Sequence, residues 1–301
     1  MLRRASAVVA LVLAGLNFVH AAAVTKRQDI TTLSSTQVAA FKPFTYYASA
    51  AYCNPSATLT WSCGANCDAN PGFVPVAAGG NGDDVQFWYV GFDPKENTVI
   101  VAHEGTNTSS ILSILTDADF FLTPLSKTLF PGLGSNIQTH MGFGESHARI
   151  AAPVLAAVQK ALSLYSTTSV TVVGHSLGAA IALIDSIYLR LKLPNATVKM
   201  IGYGLPRVGN QAFADYVDAH QTVTHVNNKK DPIPIVPGRL LGFHHPSGEV
   251  HIQETGEWDA CPGQDNTSKL CIVGDVPNIF EADNDNHNGL YDGVHMGCSS
   301  S

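Results

Sequence analysis

The chain has 301 residues, of which 45% are hydrophobic and 14% charged, so it carries enough apolar side chains to bury a sizeable core, which argues against disorder or low-complexity scaffolding. The formal charge is −7. Loss of an N-terminal segment that holds four cations would leave 13 cations against 24 anions, so we expect no nucleic acid or other polyanionic partner. No Pro- or Ser-rich linker divides the chain, which favours one domain.

The N-terminus has the three-part layout of a secretory signal. Two arginines precede an apolar run over residues 5–19, and small residues follow it. The run is short for a membrane span, and no other stretch reaches about 18 uninterrupted apolar residues. The pair Lys26-Arg27 resembles a fungal dibasic processing site, with an incidental basic pair as the alternative. We expect a secreted protein without a transmembrane anchor, built as signal peptide 1–22, short propeptide 23–27 and single catalytic domain 28–301.

Strand and helix signals alternate along the rest of the chain. Apolar alternation, a turn and a β-branched run predict a hairpin over 85–102. The following signals, in chain order, are a helix over 145–165, a strand over 169–173, a helix over 177–191, a strand over 198–203, a helix over 210–219 and a strand over 222–226. This alternation predicts an α/β fold around a largely parallel sheet. Beyond about residue 237 the chain is rich in Gly, Asp and Asn, with one alternating run over 249–253.

Six cysteines, an even number in a chain expected to be exported, predict three disulfides rather than a metal site. Short loops are the easiest to close, which favours disulfides between cysteines that lie near each other in sequence. The first and last cysteines then remain to join the two ends of the domain. The expected disulfides are Cys63–Cys67, Cys261–Cys271 and Cys53–Cys298. In the loop-entropy account, the long-range disulfide contributes on the order of 5 kcal/mol to stability.

The segment Gly174-His175-Ser176-Leu177-Gly178 fits the pattern G-x-S-x-G. It lies where a predicted strand passes directly into a predicted helix, as a nucleophile elbow requires. Glycines on both sides of Ser176 remove side chains that would collide in such a turn, so the serine Oγ is held out over the sheet edge. The backbone N–H of Leu177, at a helix N-terminus, can then donate to an oxyanion. The alternative is a Gly-rich turn with an N-capping serine.

Two longer motifs carry a resemblance to a known family. They are Gly174-His175-Ser176-Leu177-Gly178-Ala179-Ala180 and Tyr203-Gly204-Leu205-Pro206-Arg207-Val208-Gly209-Asn210. Together they resemble the fungal class 3 lipases, which include a feruloyl esterase branch, and the similarity extends from Ala51-Tyr52-Cys53 to Gly297-Cys298. The resemblance implies an α/β-hydrolase-like fold with a central, mostly parallel sheet flanked by helices. It also implies ester hydrolysis by a Ser–Asp–His triad, no cofactor, a mobile lid and the cysteine pairing given above.

A serine nucleophile needs a histidine base and a carboxylate that orients this base, and in α/β-hydrolases the chain order is Ser, Asp or Glu, then His. Asp231 begins Asp231-Pro232-Ile233-Pro234 after a predicted strand and matches the family's Asp-x-Val-Pro position. Asp215 and Asp218 are rivals, but they lie in a predicted amphipathic helix with a solvated polar face. We therefore choose Asp231.

The downstream histidines are His244, His245, His251, His287 and His295. His287, in Asn286-His287-Asn288-Gly289-Leu290-Tyr291, resembles the family's catalytic histidine, although Asn286 stands where aspartate is common. We assign His287 as the base and interpret His295 as a surface or packing residue. His245 lies in a segment that resembles one in which a histidine supports the site. The nearby Asp283-Asn284-Asp285 lacks the spacing of a calcium loop, so no metal site is predicted.

By resemblance, Thr106 supplies the second oxyanion donor through its backbone N–H and its hydroxyl. It closes His103-Glu104-Gly105-Thr106, directly after an early predicted strand, where such a donor belongs. Glu104 replaces an arginine that is common in the family. The segment that follows is unusually apolar, and its position favours a lid over a second core layer. The expected lid residues are Ile111, Leu112, Ile114, Leu115, Phe120, Phe121 and Leu122.

The leading interpretation is a secreted serine hydrolase, similar to triacylglycerol lipases, that cleaves lipid esters at a lipid–water interface through an acyl-enzyme. An apolar lid favours acyl-chain substrates over aromatic acids on polysaccharide. The alternatives are a feruloyl or short-chain carboxylesterase and a catalytically inactive, hydrolase-like binding protein. Glycosylation sequons occur at Asn107, Asn195 and Asn266, and a glycan on Asn107 would obstruct the mouth of the site, so we expect that sequon to be used least.

Overall fold

A computed structural model describes residues 29–106, 111 and 121–298. The predicted signal peptide and propeptide lie outside the described residues, as do Asn107 and the predicted lid residues Leu112, Ile114, Leu115 and Phe120. Within the described ranges, no helix combines the length and the apolar character that a membrane crossing needs.

Strands and helices alternate through most of the described chain. The strands are β1 (Thr31–Thr32), β2 (Val74–Gly79), β3 (Trp88–Asp93), β4 (Thr98–His103), β5 (Leu122–Pro124), β6 (Gln138–His140), β7 (Ser169–His175), β8 (Thr197–Tyr203), β9 (Gly209–Asn210), β10 (Thr222–Asn228), β11 (Phe243–His244), β12 (Glu249–Ile252) and β13 (Trp258–Cys261). The helices are α1 (Ser35–Ala39), α2 (Lys42–Ala50), α3 (Pro55–Thr60), α4 (Ala65–Asp68), α5 (Met141–Tyr165), α6 (Leu177–Lys192), α7 (Gln211–His220) and α8 (Ile272–Asp275). Short 3-10 turns cover Ile233–Ile235, Arg239–Leu241 and Asn284–Asn286.

A nine-stranded sheet organises the described residues in the order β1-β13-β12-β10-β8-β7-β4-β3-β2. Its central strands, from β4 through β7, β8 and β10 to β12, are parallel, and the outer pairings are antiparallel. The carboxyl ends of the parallel strands therefore meet at one edge, where ligands of open α/β sheets bind. The predicted α/β fold with a central, mostly parallel sheet and flanking helices is confirmed. A second, antiparallel sheet has the order β11-β9-β6-β5.

Hydrophobic clusters cover the two faces of the large sheet. On one face α5 and α6 pack against the inner strands, and residues 177–189 of α6 are buried without exception. A helix that is apolar on nearly every side must be enclosed in this way, here between the sheet and α5. On the other face, α2 and the aromatic side chains around it pack against β3, β4 and β8. The helix that begins at the predicted nucleophile is thus held rigidly in the core.

The disulfides in the structure are Cys53–Cys298, Cys63–Cys67 and Cys261–Cys271. The first connects residues 245 positions apart, whereas the second closes a loop over only 4 positions. Because the entropy that a disulfide removes from the unfolded chain grows with loop length, the long-range disulfide has the larger effect.

We expect replacement of both Cys53 and Cys298 by serine to lower the free energy of unfolding by about 5 kcal/mol. The matched control, replacement of Cys63 and Cys67 by serine, should cost about 2 kcal/mol because its loop is short. Urea unfolding of the three proteins measures both differences. Equal losses in the two variants would contradict the expectation.

Candidate functional site

Ser176 lies in a strained turn between β7 and α6. Its backbone has φ 59° and ψ −127°, a conformation that non-glycine residues rarely adopt and that is found preferentially at functional sites. A Cβ atom on Gly174 would overlap the carbonyl of Gly178, and one on Gly178 would overlap the carbonyl of His103. The two motif glycines are therefore required by close backbone packing. Although Ser176 occupies the N-cap position of α6, its side chain makes no capping hydrogen bond, so the N-capping alternative is wrong.

The two candidate oxyanion donors lie on neighbouring elements. Leu177 is the first residue of α6, and N–H groups in the first turn of a helix have no acceptor within that helix. The loop that leads to the half-buried Thr106 follows β4, whose last residue, His103, pairs with Gly174 of β7. A Cβ atom on Gly105 would overlap the carbonyl of His175, so this loop packs closely against the elbow.

Asp231 and His287 form a buried pair beside the elbow. The Nδ1 of His287 lies 3.0 Å from Oδ1 and 2.9 Å from Oδ2 of Asp231, and neither side chain is exposed to solvent. Asp231 follows β10, and its Oδ1 also accepts a hydrogen bond of 2.9 Å from the N–H of Ile233. A carboxylate at Nδ1 holds the proton there, which leaves Nε2 as the basic atom of the ring.

The two atoms of the candidate triad that would react have no hydrogen-bond partner in the described part of the chain. The Oγ of Ser176 and the Nε2 of His287 are both buried, and neither forms a hydrogen bond with the residues described, including each other. Gly204 lies at this site with φ 53°, and a Cβ atom there would come within 3.0 Å of both Asp231 Oδ2 and His287 Cε1. In structures without substrate, a hydrogen bond of this kind often shortens only when substrate binds. Among the described residues, the candidate base therefore has an available lone pair and the candidate serine has no competing partner.

The rival residues occupy other places. Asp215 and Asp218 are exposed on α7, where both accept hydrogen bonds from Gln264. His295 is exposed, and its Nδ1 contacts the carbonyl of Met296. The side chains of these three residues therefore form contacts at the protein surface.

A buried polar group supports the segment that follows Asp231. Arg207 Nε donates to Asp265 Oδ1 at 2.8 Å, and its Nη1 donates to the carbonyls of Ile235 and Pro237. His245 Nε2 lies 2.7 Å from the carbonyl of Pro234 and donates to it. The resemblance had indicated a supporting histidine, but the sequence contains no signal for Asp265, which is distant along the chain.

Glu104, at the position where the family resemblance implies an arginine, anchors the loop that leads to the candidate oxyanion donor Thr106 to the strand beside it. Its carboxylate accepts a hydrogen bond of 2.7 Å from the N–H of Phe87, and its own N–H donates to the Phe87 carbonyl at 2.8 Å. Burial raises the pKa of Glu104, although the bond from Phe87 acts in the opposite direction. In this chain the side chain at position 104 therefore binds the backbone of Phe87.

Three of the predicted lid residues fall within the described residues, and they differ in environment. Ile111 is fully buried in the main core cluster, Phe121 is 57% exposed, and Leu122 begins β5. The lid itself stays a prediction. Among the described residues, the one cluster with the spacing of a metal site is Glu249 with Cys261 and Cys271, whose thiols are consumed by their disulfide.

The stacked, fully buried pair His225 and His245 should make the protein acid-labile. Burial lowers the pKa of His225 to about 4 and that of His245 to about 3, with His225 further lowering the latter. Below a pH of about 6.5 these two histidines become protonated in the unfolded chain but stay neutral in the folded chain. The free energy of unfolding therefore falls as the pH falls toward 4.

We expect His225 alone to remove roughly 3 kcal/mol of stability between pH 7 and pH 4. In His225→Gln, which keeps a donor for the Pro246 carbonyl, the free energy of unfolding should depend less steeply on pH. His220→Gln, at an exposed position, serves as the control. An unchanged slope in His225→Gln, measured by urea unfolding across this range, would contradict the account.

The parallel sheet, the strained strand–turn–helix elbow and the Asp–His pair at the carboxyl edge define a protein of the α/β-hydrolase class. Residues 100–241 match the family described as Lipase (class 3). A secreted mono- and diacylglycerol lipase, MDL2, of Malassezia globosa is 35% identical over 205 residues, which are 67% of this chain and 66% of that protein. With this fold, this site and these matches, the chain belongs to the class 3 lipase family.

Other relatives extend the comparison. A secreted mono- and diacylglycerol lipase, LIP2, of Malassezia restricta is 32% identical over 58% of this chain and 57% of its own length. The chain thus spans 66% of the first and 57% of the second of these Malassezia proteins, less than two thirds of each. The structure of lipase II from Rhizopus niveus superposes with a TM-score of 0.77 at 26% identity, covering 90% of this chain and all of the other.

Proposed function

We propose that this protein is a secreted lipase that hydrolyses acylglycerol esters through an acyl-enzyme on Ser176. The observation that carries the proposal is the buried Asp231–His287 pair, whose imidazole ring centroid lies 4.4 Å from that of His175, the residue before Ser176. Neither His287 Nε2 nor Ser176 Oγ forms a hydrogen bond with the described residues. The names of the Malassezia relatives support mono- and diacylglycerols as substrates.

In the proposed reaction, Ser176 Oγ attacks the ester carbonyl carbon while its proton passes to His287 Nε2. The negative charge on the carbonyl oxygen is stabilised by the N–H groups of Leu177 and Thr106 and by the Thr106 hydroxyl. The carbon–oxygen bond to the glycerol moiety then breaks, and the leaving oxygen takes the proton from His287. A water molecule, deprotonated by His287, hydrolyses the acyl-enzyme and releases the fatty acid. Asp231 orients His287 and stabilises the imidazolium throughout.

An apolar rim supports a lipid substrate. The rim consists of Phe121, Leu240, Leu241, Ile279 and Phe280, all exposed. Leu240 is fully exposed and Phe280 is 91% exposed, although a soluble protein normally has few large apolar side chains grouped in solvent. Four of the five lie between Asp231 and His287 in sequence.

These loops also meet in space. Leu240 and Ile279 line one cavity of about 740 Å³ together with Val236 and Val276. A Cβ atom on Gly242 would lie 3.4 Å from Leu122 Cδ1, so Gly242 lies close to the residue that follows Phe121. A rim of this composition favours contact with a lipid–water interface over contact with a polysaccharide.

Initial rates on monoolein, diolein, triolein and methyl ferulate test the proposal. We expect oleoyl glycerides to be hydrolysed and methyl ferulate to be turned over much more slowly. The rate on diolein should rise when the substrate passes its solubility limit. Faster turnover of methyl ferulate would assign the protein to the feruloyl esterase branch, and no turnover of any ester would favour a binding protein.

Export and processing are part of the proposal. The three disulfides suit an oxidising compartment, and we place the mature N-terminus at Gln28, after Lys26-Arg27. N-terminal sequencing of the secreted protein should therefore begin at Gln28. A start further upstream would contradict cleavage at the basic pair.

Asn195 should carry an N-linked glycan, whereas Asn266 should not. Asn195 is exposed in the turn between α6 and β8. The Nδ2 of Asn266, the atom that a glycan would modify, instead donates to the Pro262 carbonyl at 2.9 Å, within the loop that the Cys261–Cys271 disulfide closes. Peptide mass mapping of the protein and of Asn195→Gln decides between the sites, and a glycan on Asn266 would contradict the expectation.

A further inference from the structure

A chain of hydrogen bonds runs behind the candidate triad. The hydroxyl of Tyr52 lies 2.6 Å from Nδ1 of His175, the residue that precedes Ser176. Nε2 of His175 lies 2.9 Å from the backbone carbonyl of His287. The same carbonyl accepts a second hydrogen bond, of 3.0 Å, from the hydroxyl of Tyr291. Neither Tyr52 nor His175 is required by the reaction proposed above.

The direction of these bonds follows from their chemistry. A carbonyl oxygen can only accept, so Nε2 of His175 must carry a proton and donate. In a neutral imidazole Nδ1 is then an acceptor, and the Tyr52 hydroxyl donates to it. Burial, aided by the nearby His287, lowers the pKa of His175 well below its usual range. His175 is therefore neutral, in the single tautomer that these two partners allow.

The bond from His175 to the His287 carbonyl matters because of where His287 lies in the chain. His287 follows the 3-10 turn Asn284–Asn286 and lies in a loop rather than on a strand or helix. Its own N–H donates to Asn284, within the same loop. Asp231 holds its side chain, and Asn228 of β10 donates through Nδ2 to the carbonyl of the neighbouring Asn286 at 2.8 Å, but neither contact reaches the elbow. The bond from His175 does so, because it joins the last residue of β7 to a residue 112 positions further along.

We propose, on the basis of the function proposed above, that Tyr52 and His175 are positioning residues which set the distance between the candidate base and the candidate nucleophile. His175 ties the main chain of His287 to the strand that presents Ser176, and Tyr52 fixes the tautomer in which His175 can donate.

Tyr52 links this support to the oxyanion loop as well. A Cβ atom on Gly105 would overlap the Tyr52 hydroxyl, so this oxygen packs directly against the backbone that leads to Thr106. Its neighbour Cys53 is tied to Cys298 by a disulfide. The Tyr52 hydroxyl thus contacts both His175, which supports the candidate base His287, and the loop that carries the candidate oxyanion donor Thr106.

Two substitutions at His175 separate positioning from packing. Glutamine places an amide N–H near the position of Nε2 and keeps the donor to His287, whereas asparagine places an acceptor near the position of Nδ1 and loses that donor. We expect kcat for soluble p-nitrophenyl butyrate to fall about ten- to a hundredfold in His175→Asn, with KM little changed. His175→Gln should retain most of the wild-type kcat.

Equal losses in the two variants, or a wild-type kcat in His175→Asn, would overturn the proposal. Thermal melting and near-ultraviolet circular dichroism establish that each variant is folded. If neither His175 variant folds, Tyr52→Phe decides, since it removes a single oxygen atom.

Tyr52→Phe should lower kcat roughly tenfold at similar KM, because His175 loses the partner that fixes its tautomer. The matched control is Tyr47→Phe. Its hydroxyl also has an internal partner, Asp93 Oδ2 at 2.6 Å, but Asp93 pairs with the first residue of β4, at the opposite end of the sheet. Tyr47→Phe should lower the melting temperature and leave kcat unchanged.

Equal kcat values in Tyr52→Phe and wild type would refute the role of Tyr52. A failure of the proposed function can be told apart from a failure of the positioning role, because wild-type protein would then hydrolyse no ester at all. That outcome would overturn both proposals together.

Discussion

Ser176→Ala should reduce kcat for p-nitrophenyl butyrate by about 10⁶-fold and leave KM nearly unchanged. The substitution removes the only atom that forms the acyl-enzyme in the proposed reaction, while the N–H groups of Leu177 and Thr106 remain in place. A small residual rate above that in water is expected from these donors. Initial rates and the burst of p-nitrophenol, measured on wild type and variant, give both quantities.

Ser186→Ala is the matched control for this loss. Ser186 is also fully buried on α6, but its hydroxyl donates to the carbonyl of Leu183 within the helix, at 2.7 Å. The control should keep wild-type kcat. If Ser176→Ala retained more than about one hundredth of wild-type kcat, the acyl-enzyme on Ser176 would be ruled out.

Asp231→Asn should reduce kcat by about 10⁴-fold, because an amide can turn its NH₂ group toward Nδ1 of His287 and so favour the wrong tautomer. The ring would then carry its proton on Nε2, where the reaction requires a lone pair. The change removes one charge and almost no volume, so the fold should persist. Rates on p-nitrophenyl butyrate at neutral pH measure the loss.

Asp218→Asn tests the same chemical change at the rival carboxylate. Asp218 is exposed and bonds to Ser247 at the surface, so its loss should leave kcat within about twofold of wild type. A larger loss in Asp218→Asn than in Asp231→Asn would show that the orienting carboxylate has been misassigned.

Long, regular elements could be predicted from the sequence, because their periodicity extends over many residues. The hairpin that became β3 and β4 and the strand–turn–helix of β7 and α6 appear close to their predicted bounds. Helices α1 to α4 were not predicted, since they have four to nine residues each, too few for a repeating pattern. Packing stabilises α2, and a disulfide holds α4, whereas α1 has no buried residue and begins with a capping box formed by Ser34 and Gln37.

The same distinction between local patterns and long-range packing applies to the residues of the candidate site. Ser176 and its glycines could be identified because the elbow is a local motif, and Asp231 and His287 because chain order and family resemblance narrowed the choice. The contacts of His175 with Tyr52 and with His287 join residues 123 and 112 positions apart. Such contacts depend on how β7, α2 and the C-terminal loop pack together, which no local pattern in the sequence records.

Labelling with a p-nitrophenyl alkylphosphonate tests the central claim most directly. In this reaction the Oγ of an activated serine forms a bond to phosphorus and p-nitrophenolate leaves, so the adduct marks the nucleophile. The account predicts one adduct per chain on the peptide that contains Ser176, formed rapidly in wild type, very slowly in His287→Ala and not at all in Ser176→Ala. An adduct on another residue, or labelling that persists at the wild-type rate without His287, would contradict it.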